Sequence, residues 1–190
     1  MEFYPLMLEL AGKEILIAGG GRVALRKFKS LQGLGAHFTI VSPEILPDFG
    51  PPDQTCRQIL KKFCSEDLGA PFLTLACTGD REINREIGRC CREKGLLVSI
   101  CDDPAGSDII FPAVASQGSL KIAVSTSGEC PGLAKRIRDE VARGCAERYS
   151  TLAGEAGEER RAALDSPQKL EQLQALQKKI EEEMEKLSKK

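Results

Sequence analysis

Three consecutive glycines between an apolar segment and a basic segment constrain the fold of this chain more than any other feature. They are Gly19, Gly20 and Gly21, within the sequence ILIAGGGRVALRK of residues 15–27. A glycine inside regular structure costs roughly 0.5 to 1 kcal/mol relative to alanine, because it loses more conformational freedom on folding. The chain must therefore need the missing side chains at this point.

Periodic patterns on both sides of the glycines predict a βαβ unit. Residues 14–18 form a short apolar run, apolar residues at helical spacing continue to Leu31, and residues 37–41 (HFTIV) form a second run. Further strands are expected at 58–60, 72–77 and 96–100, with a helix over 80–94. This alternation predicts an α/β protein with a Rossmann-type parallel sheet, whose ligand site lies at the carboxyl ends of the strands.

The glycines also belong to a G-x-G-x-x-A pattern that ends at Ala24. Gly19 permits a tight turn, Gly21 lets the backbone approach a pyrophosphate, and Ala24 keeps the helix close to the strand. The N–H groups and the positive dipole end of the helix then face a phosphate. The pattern predicts a dinucleotide cofactor.

The residues after the second strand leave the choice of dinucleotide open. An acid at the end of this strand usually binds the ribose hydroxyls of NAD, but here the strand ends in Val41-Ser42-Pro43-Glu44. Glu44 either takes this role from two residues further on or is a solvated turn residue. The spacing alone does not separate NAD from NADP.

Two carboxylates, Asp102 and Asp103, directly follow the fifth predicted strand. This is the sheet edge at which the fold places its chemistry, and a partly buried carboxylate there can accept a proton. The sequence Asp-Asp-Pro-Ala-Gly is equally typical of a turn. Position alone leaves both interpretations open.

The pattern changes after Asp103. Two β-like runs at 109–111 and 120–125 are separated by a turn-like Ser-Gln-Gly, and a helix is expected from Pro131. The polar residues just before this helix either cradle an anion or cap the helix; they are Ser125, Thr126, Ser127 and Gly128. The charged stretch 150–165 predicts a linker, and the segment from Ser166 predicts an amphipathic helix.

Composition excludes some partners and predicts a cytoplasmic location. The 27 Lys and Arg residues nearly balance the 28 Asp and Glu residues, which gives no electrostatic reason to expect nucleic acid or an anionic membrane as partner. No apolar run approaches the length of a membrane span, and no signal peptide is expected.

The eight cysteines include no C-x-x-C pair, and there is one histidine, so we expect neither disulfides nor a metal site and predict mostly buried thiols.

Four stretches, taken together, carry a resemblance to a known family. They are FYPLMLELAGKEILIAGGGRVALRK, ACTGDREIN, SICDDPAGSDIIFPA and LKIAVSTSGECPGLAKRIRDEV. In order and spacing, from about Phe3 to about Val141, they resemble the precorrin-2 dehydrogenase of siroheme synthesis, which occurs alone or as the N-terminal module of siroheme synthases. The tail beyond Ser150 shows no clear match.

The resemblance implies an NAD-dependent oxidation of precorrin-2 to sirohydrochlorin and, in some members, ferrochelatase activity at the same site. It places the key carboxylate on Asp102 rather than Asp103. It also implies a homodimer, built through a middle unit that binds substrate. The implied NAD contacts are Arg22, Val23, Pro43 and Glu44, and the implied substrate loop runs from Ser125 to Gly128.

Precorrin-2 carries many carboxylates, so a local set of cations is needed despite the near-neutral total charge. The candidates, each of which also fits a solvated basic helix face, are Arg26, Lys27, Lys135, Arg136 and Arg138. We predict three parts: a dinucleotide-binding domain at 1–103, a dimerisation and substrate-binding α+β unit at 104–149, and a helical segment at 150–190.

Two other functions stay open. A non-catalytic NAD-sensing module would keep the glycines but would need neither Asp102 nor a basic pocket. A metal chelatase without dehydrogenase activity would keep Asp102 and the basic pocket but would bind NAD poorly.

Overall fold

The computed structural model describes residues 3–188, and at 145–148 and 187–188 it describes the backbone alone. The chain divides into two compact units between Ile110 and Phe111. In chain order the strands and α-helices are β1 Glu14–Ala18, α1 Arg22–Leu31, β2 His37–Val41, β3 Cys56–Ile59, β4 Leu73–Ala76, α2 Arg81–Glu93, β5 Leu97–Ile100, β6 Ala113–Gln117, β7 Leu120–Val124, α3 Pro131–Leu164 and α4 Lys169–Ser188.

The first unit is built on a five-stranded parallel sheet with the strand order β3-β2-β1-β4-β5. The chain returns from β3 at one edge to β4 beside β1, so the strand order reverses between β1 and β4. In doubly wound sheets a ligand binds outside the carboxyl ends of the strands at this reversal. The predicted α/β class and Rossmann-type sheet are confirmed.

Helices cover both faces of this sheet, which explains why the central strands β1 and β4 are buried along almost their whole length. On one face, Leu16 and Ala18 of β1 pack in a buried cluster with Ile87 and Cys91 of α2. On the other face, the ring of Phe28 in α1 lies 4.9 Å from that of Phe38 in β2. The sheet is therefore a buried scaffold that holds the loops at its carboxyl edge.

The second unit contains an antiparallel hairpin, β6 and β7, against which α3 packs. The prediction of a strand at 109–111 is wrong. In the hairpin, Gln117 pairs with Leu120 and Ala113 pairs with Val124, so the first strand is β6 at Ala113–Gln117. A two-residue turn sets this register, and counting back from it places the strand after Pro112 rather than before it.

The linker predicted at 150–165 is wrong as well, since α3 continues to Leu164 and runs through the boundary predicted between residues 149 and 150. Alanine, glutamate and arginine dominate this stretch, and all three favour helix. The helix α4 packs against it, with Ala163 and Leu176 both buried and an ion pair between Lys179 and Glu159. The predicted amphipathic helix is present as α4, and its Leu187 side chain lies outside the described residues.

The expectation of no disulfides is wrong, because Cys77 and Cys101 form one. These residues directly follow β4 and β5, which are neighbouring parallel strands, so their Cα atoms lie 5.4 Å apart. The pairing depends on the sheet and is not visible in the spacing along the chain. The other described thiols differ in exposure: Cys56 and Cys91 are buried, Cys90 is half-buried, and Cys64 and Cys130 are exposed. The side chain of Cys145 lies outside the described residues.

Within residues 3–188, no group of three or more His, Cys, Asp or Glu side chains is arranged to hold a metal ion. No helix in the described part of the chain is long and apolar enough to cross a membrane.

Candidate functional site

The first two glycines after β1 make room for the chain's own backbone. Gly19 has a φ of 120°, and a Cβ atom there would stand 2.3 Å from the carbonyl oxygen of Cys77. A Cβ atom at Gly20 would stand 2.2 Å from the carbonyl oxygen of Glu44. Real Cβ atoms do not approach backbone oxygens this closely, so these two glycines let the loops after β1, β2 and β4 pack together.

Gly21 differs, because a Cβ atom there would meet no atom within 4 Å. Gly21 is the N-cap residue of α1, and no side chain caps this helix. Arg22 and Val23 in the first turn are exposed. A helix N-terminus with accessible N–H groups beside open space is suited to a phosphate, so the turn fits the pyrophosphate of a dinucleotide.

The loop after β2 is bonded to the glycine turn. The N–H group of Gly19 donates to the carbonyl of Val41, and the N–H group of Leu46 donates to the carbonyl of Gly20, at 2.9 and 3.0 Å. Between these bonds the loop exposes Pro43 and Glu44. The structure thus brings the predicted cofactor residues of β1, α1 and β2 together at one edge of the sheet.

Asp102 and Asp103 have different surroundings. The Oδ2 atom of Asp102 lies 3.0 Å from Nε of Arg81, and its Oδ1 accepts a hydrogen bond from Nδ2 of Asn84 at 3.1 Å. Asp103 instead accepts the N–H group of Gly106 at 3.1 Å within its own turn. Asp102 is therefore held against α2 with 33% of its side chain exposed, whereas Asp103 stabilises a turn.

Sequence reasoning missed the three residues around Asp102, which are Thr78, Arg81 and Asn84. One signal was present: Asn84 shares a helical face with Ile87 and Cys91, and an amide in such an apolar row is unusual. Arg81 and Asn84 contact Asp102 across 21 and 18 residues of sequence, so the spacing of motifs does not reveal these contacts.

In the second unit, the loop before α3 bonds mainly to itself. The Oγ atom of Ser125 accepts the N–H group of Ser127, and Oγ1 of Thr126 accepts that of Cys130, the N-cap residue of α3. Ser127 and Gly128 have φ values of 53° and 87°. The N-cap position of α3 has no side-chain cap hydrogen bond. The helix-capping and anion-cradle interpretations of the loop therefore both stay predictions.

The two candidate arginines of α3 differ in the contacts and exposure of their side chains. The guanidinium of Arg138 donates to the carbonyl of Val114 at 2.6 Å and pairs with Asp139 at 2.7 Å. Its side chain is 19% exposed, so it ties α3 to β6. Arg136 is exposed. Of the two, Arg136 is the better placed to meet a carboxylate from solution.

Lys27, another candidate cation, contacts the sheet. Its Nζ donates to Oγ of Ser99 at 3.4 Å, and Ser99 in β5 is 2% exposed. Burial, with a smaller effect from the charge of Arg26, lowers the pKa of Lys27 from 10.5 to about 8. The protonated form of Lys27 therefore opposes folding.

Replacement of Lys27 by methionine is expected to raise the free energy of unfolding at pH 7 by on the order of 2 kcal/mol. Between pH 8 and 10.5 the unfolded wild-type chain keeps a proton that the folded chain has released, so wild-type stability rises with pH in that window. Urea unfolding across this range should show the two proteins converging. A stability difference that does not change with pH would contradict the assignment.

Two families match the chain. The one described as "Putative NAD(P)-binding" matches residues 6–113, and the one described as "Sirohaem biosynthesis protein central" matches residues 117–144. Siroheme synthase 2 of Aeromonas hydrophila is 35% identical over 141 residues, which are 74% of this chain and 30% of that protein. Siroheme synthase of Ectopseudomonas mendocina is 36% identical over 156 residues, which are 80% of this chain and 33% of that protein. The chain thus spans about a third of the length of these relatives.

A solved structure is similar over nearly the whole chain. It is SirC, precorrin-2 dehydrogenase, with a TM-score of 0.78 and 26% sequence identity, and the match covers 99% of this chain and 100% of that one. The similarity therefore includes the C-terminal helices, where the sequence alone suggested no relationship.

Proposed function

Because the chain belongs to the family of precorrin-2 dehydrogenases and siroheme synthase N-terminal modules, we propose that it oxidises precorrin-2 to sirohydrochlorin with NAD as cofactor. The observation that carries the proposal is the position of Asp102, a partly exposed carboxylate at the same edge of the sheet as the glycine turn. A proton acceptor and a dinucleotide turn at one sheet edge suit a dehydrogenase, whereas an NAD-sensing module needs no such acceptor.

The reaction removes a hydride and a proton from the reduced macrocycle, and NAD supplies the hydride acceptor when bound. The chain's own task is to orient the reactants and to accept the proton, which we assign to the carboxylate of Asp102. Gly21 and the N–H groups of Arg22 and Val23 would hold the pyrophosphate. Glu44, next to Pro43, would bind the ribose hydroxyls and disfavour the additional phosphate of NADP.

We assign the carboxylates of the substrate to the second unit. The exposed Arg136 offers a guanidinium, and Arg138 would contact the substrate by exchanging its ion pair with Asp139 for a substrate carboxylate. The other proposed substrate contacts are Ser125, Thr126, Ser127 and Gly128. Iron insertion into sirohydrochlorin at Asp102 is part of the same proposal, since metal insertion also releases protons from the macrocycle.

Measurement of NAD affinity and tetrapyrrole turnover on one purified sample tests these functions against one another. A dehydrogenase binds NAD and oxidises precorrin-2. A sensing module would bind NAD without turnover, and a chelatase without dehydrogenase activity would insert iron or cobalt and bind NAD poorly. Either of these two results would overturn the proposal.

We also propose a homodimer formed through the second unit. The two-stranded sheet of β6 and β7 leaves both outer strand edges unpaired within that sheet. The helix α3 exposes an apolar row of Leu133, Ile137 and Val141, which are 49%, 38% and 42% exposed. Association of two copies across a two-fold axis would cover such surfaces. We place this soluble dimer in the cytoplasm, with neither nucleic acid nor membrane as partner.

Sedimentation at micromolar concentration should therefore give the mass of a dimer. Replacement of Ile137 by glutamate should shift the protein toward monomer, because a charge would enter the apolar contact. The matched control is Glu158→Lys, a charge change at an exposed position further along α3, which should leave the mass unchanged. A monomeric wild-type protein would contradict the proposal.

A further inference from the structure

We infer that Asn84 is a positioning residue that holds the Asp102 carboxylate for proton transfer and connects it to the loop after β4. The inference rests on the proposed function, because it assigns a role to a second residue of the same site. Asn84 contacts neither the glycine turn nor Asp103 in the hydrogen bonds of the described residues. It therefore acts on the reaction only through its partners.

Asn84 is an amide in an apolar environment. It is 2% exposed and lies one helical turn before Ile87, a core residue that is 1% exposed. A buried amide without partners strongly destabilises a fold, so this position needs every partner that it has. The choice of asparagine therefore points to the hydrogen bonds.

The hydrogen bonds of Asn84 set the orientation of its amide. Its Oδ1 accepts from the N–H and Oγ1 groups of Thr78, at 3.0 and 2.7 Å. Its Nδ2 donates to the carbonyl of Thr78 at 3.2 Å and to Oδ1 of Asp102 at 3.1 Å. A backbone N–H group can only donate, so Oδ1 must face Thr78 and Nδ2 must face the carboxylate. Both donor positions of the amide are occupied, and its oxygen accepts the N–H group of Thr78 and shares the hydroxyl hydrogen of Thr78 with the carbonyl of Asp80.

The second partner of Asp102 is less constraining. Arg81 pairs with Oδ2, but its side chain is 71% exposed. An exposed ion pair is worth little and leaves a long side chain free to change rotamer. The buried amide is rigid by comparison, so Asn84 determines where the carboxylate of Asp102 lies.

The same amide connects Asp102 to the glycine turn. Thr78 directly follows Cys77, whose carbonyl oxygen stands against Gly19. The contacts thus run from the turn through the loop after β4 to Asn84 and then to Asp102. Such a connection holds the proton acceptor at a set position relative to the cofactor turn, and a displacement of about 1 Å can cost a hundredfold in rate.

The test compares Asn84→Ala in the wild-type chain and in the Asp102→Asn chain. In the wild-type chain we expect kcat for precorrin-2 oxidation to fall by about tenfold or more, with NAD affinity unchanged within about twofold. In the Asp102→Asn chain the same replacement should cost no further rate, because the group that it positions is already disabled. An equal loss in both chains would show a merely structural role and overturn the inference.

Two further measurements keep the test decisive. If Asn84→Ala does not fold, Asn84→Asp keeps the acceptor oxygen for Thr78 and should still lose rate and alter the pH profile, since two adjacent carboxyl groups titrate as a pair. Arg85→Gln, at an exposed position on α2, is the control expected to behave as wild type.

The side-chain amide resonance of Asn84 should also shift in Asp102→Asn, whatever the activity. An unmoved resonance in a wild type that turns over would overturn the inference and leave the proposed function standing. Absence of turnover in the wild type would overturn the proposed function, and with it the role of Asn84 in proton transfer.

Discussion

Replacement of Gly21 by aspartate is expected to abolish NAD binding and to leave a protein that is at least as stable as wild type. Gly21 has a φ of −87° and a ψ of −172°, which any residue adopts, and a side chain there meets open space. Aspartate is a favoured N-cap residue, and in place of glycine it should stabilise α1 by a few tenths of a kcal/mol. The same carboxylate would occupy the N–H groups and repel the pyrophosphate, so NAD affinity should fall by about a hundredfold or more.

Calorimetric titration with NAD and thermal unfolding together measure both effects. The control is Gly21→Ala, which adds no charge and should weaken NAD binding far less. By contrast, Gly19→Ala should destabilise the fold, since its Cβ atom would overlap the carbonyl of Cys77. Unchanged NAD affinity in Gly21→Asp would contradict the assignment of the turn to the cofactor.

Replacement of Asp102 by asparagine should lower the rate of precorrin-2 oxidation by about two orders of magnitude with NAD affinity nearly unchanged. Asparagine has the size of aspartate, and its one oxygen can still accept from Asn84 or from Arg81, but it cannot accept a proton in the reaction. If the site also inserts iron, the same replacement should lower the rate of iron insertion into sirohydrochlorin.

Asp103→Asn is the matched control for that replacement. Asp103 accepts the N–H group of Gly106, and the oxygen of an asparagine side chain can accept the same bond. We therefore expect a small loss of rate. A near-normal rate in Asp102→Asn under saturating NAD, or inactivity of Asp103→Asn instead, would contradict the assignment of the proton acceptor.

The first unit was predictable because its signals are local. The segments predicted at 14–18 and 37–41 coincide with β1 and β2. Their apolar runs are continuous because helices cover both faces of the sheet, and the glycines mark the turn between β1 and α1. The parallel sheet followed from the alternation of strands and helices.

The second unit was less predictable because pairing and packing decide it. Ile-Ile-Phe at 109–111 is apolar, yet the hairpin register set by its turn places β6 at Ala113–Gln117. The charged stretch 150–165 lacks large apolar residues, yet its contacts with α4 and its helix propensity keep it helical. The composition of residues 150–165 gives no information about α4, the later helix that packs against them.

The candidate site divides in the same way. The glycines and Asp102 belong to short motifs, so the sequence alone predicts them as candidate site residues. The sequence also singles out Gly20, but it does not show why a glycine is needed there. The structure does: the carbonyl of Glu44, from the loop after β2, lies where a side chain would begin. Asn84 was missed because its partners, Thr78 and Asp102, follow two different strands, and only the sheet brings them together.

The central claim is most directly tested by the stoichiometry of a single reaction. Wild-type protein, precorrin-2 and NAD are mixed under anaerobic conditions, and the absorbance of NADH and of sirohydrochlorin is followed in the same sample. The proposed function predicts that both products appear together in equal amounts, and that both appear about a hundredfold more slowly with Asp102→Asn. A wild-type protein that binds NAD but forms neither product from precorrin-2 would contradict it.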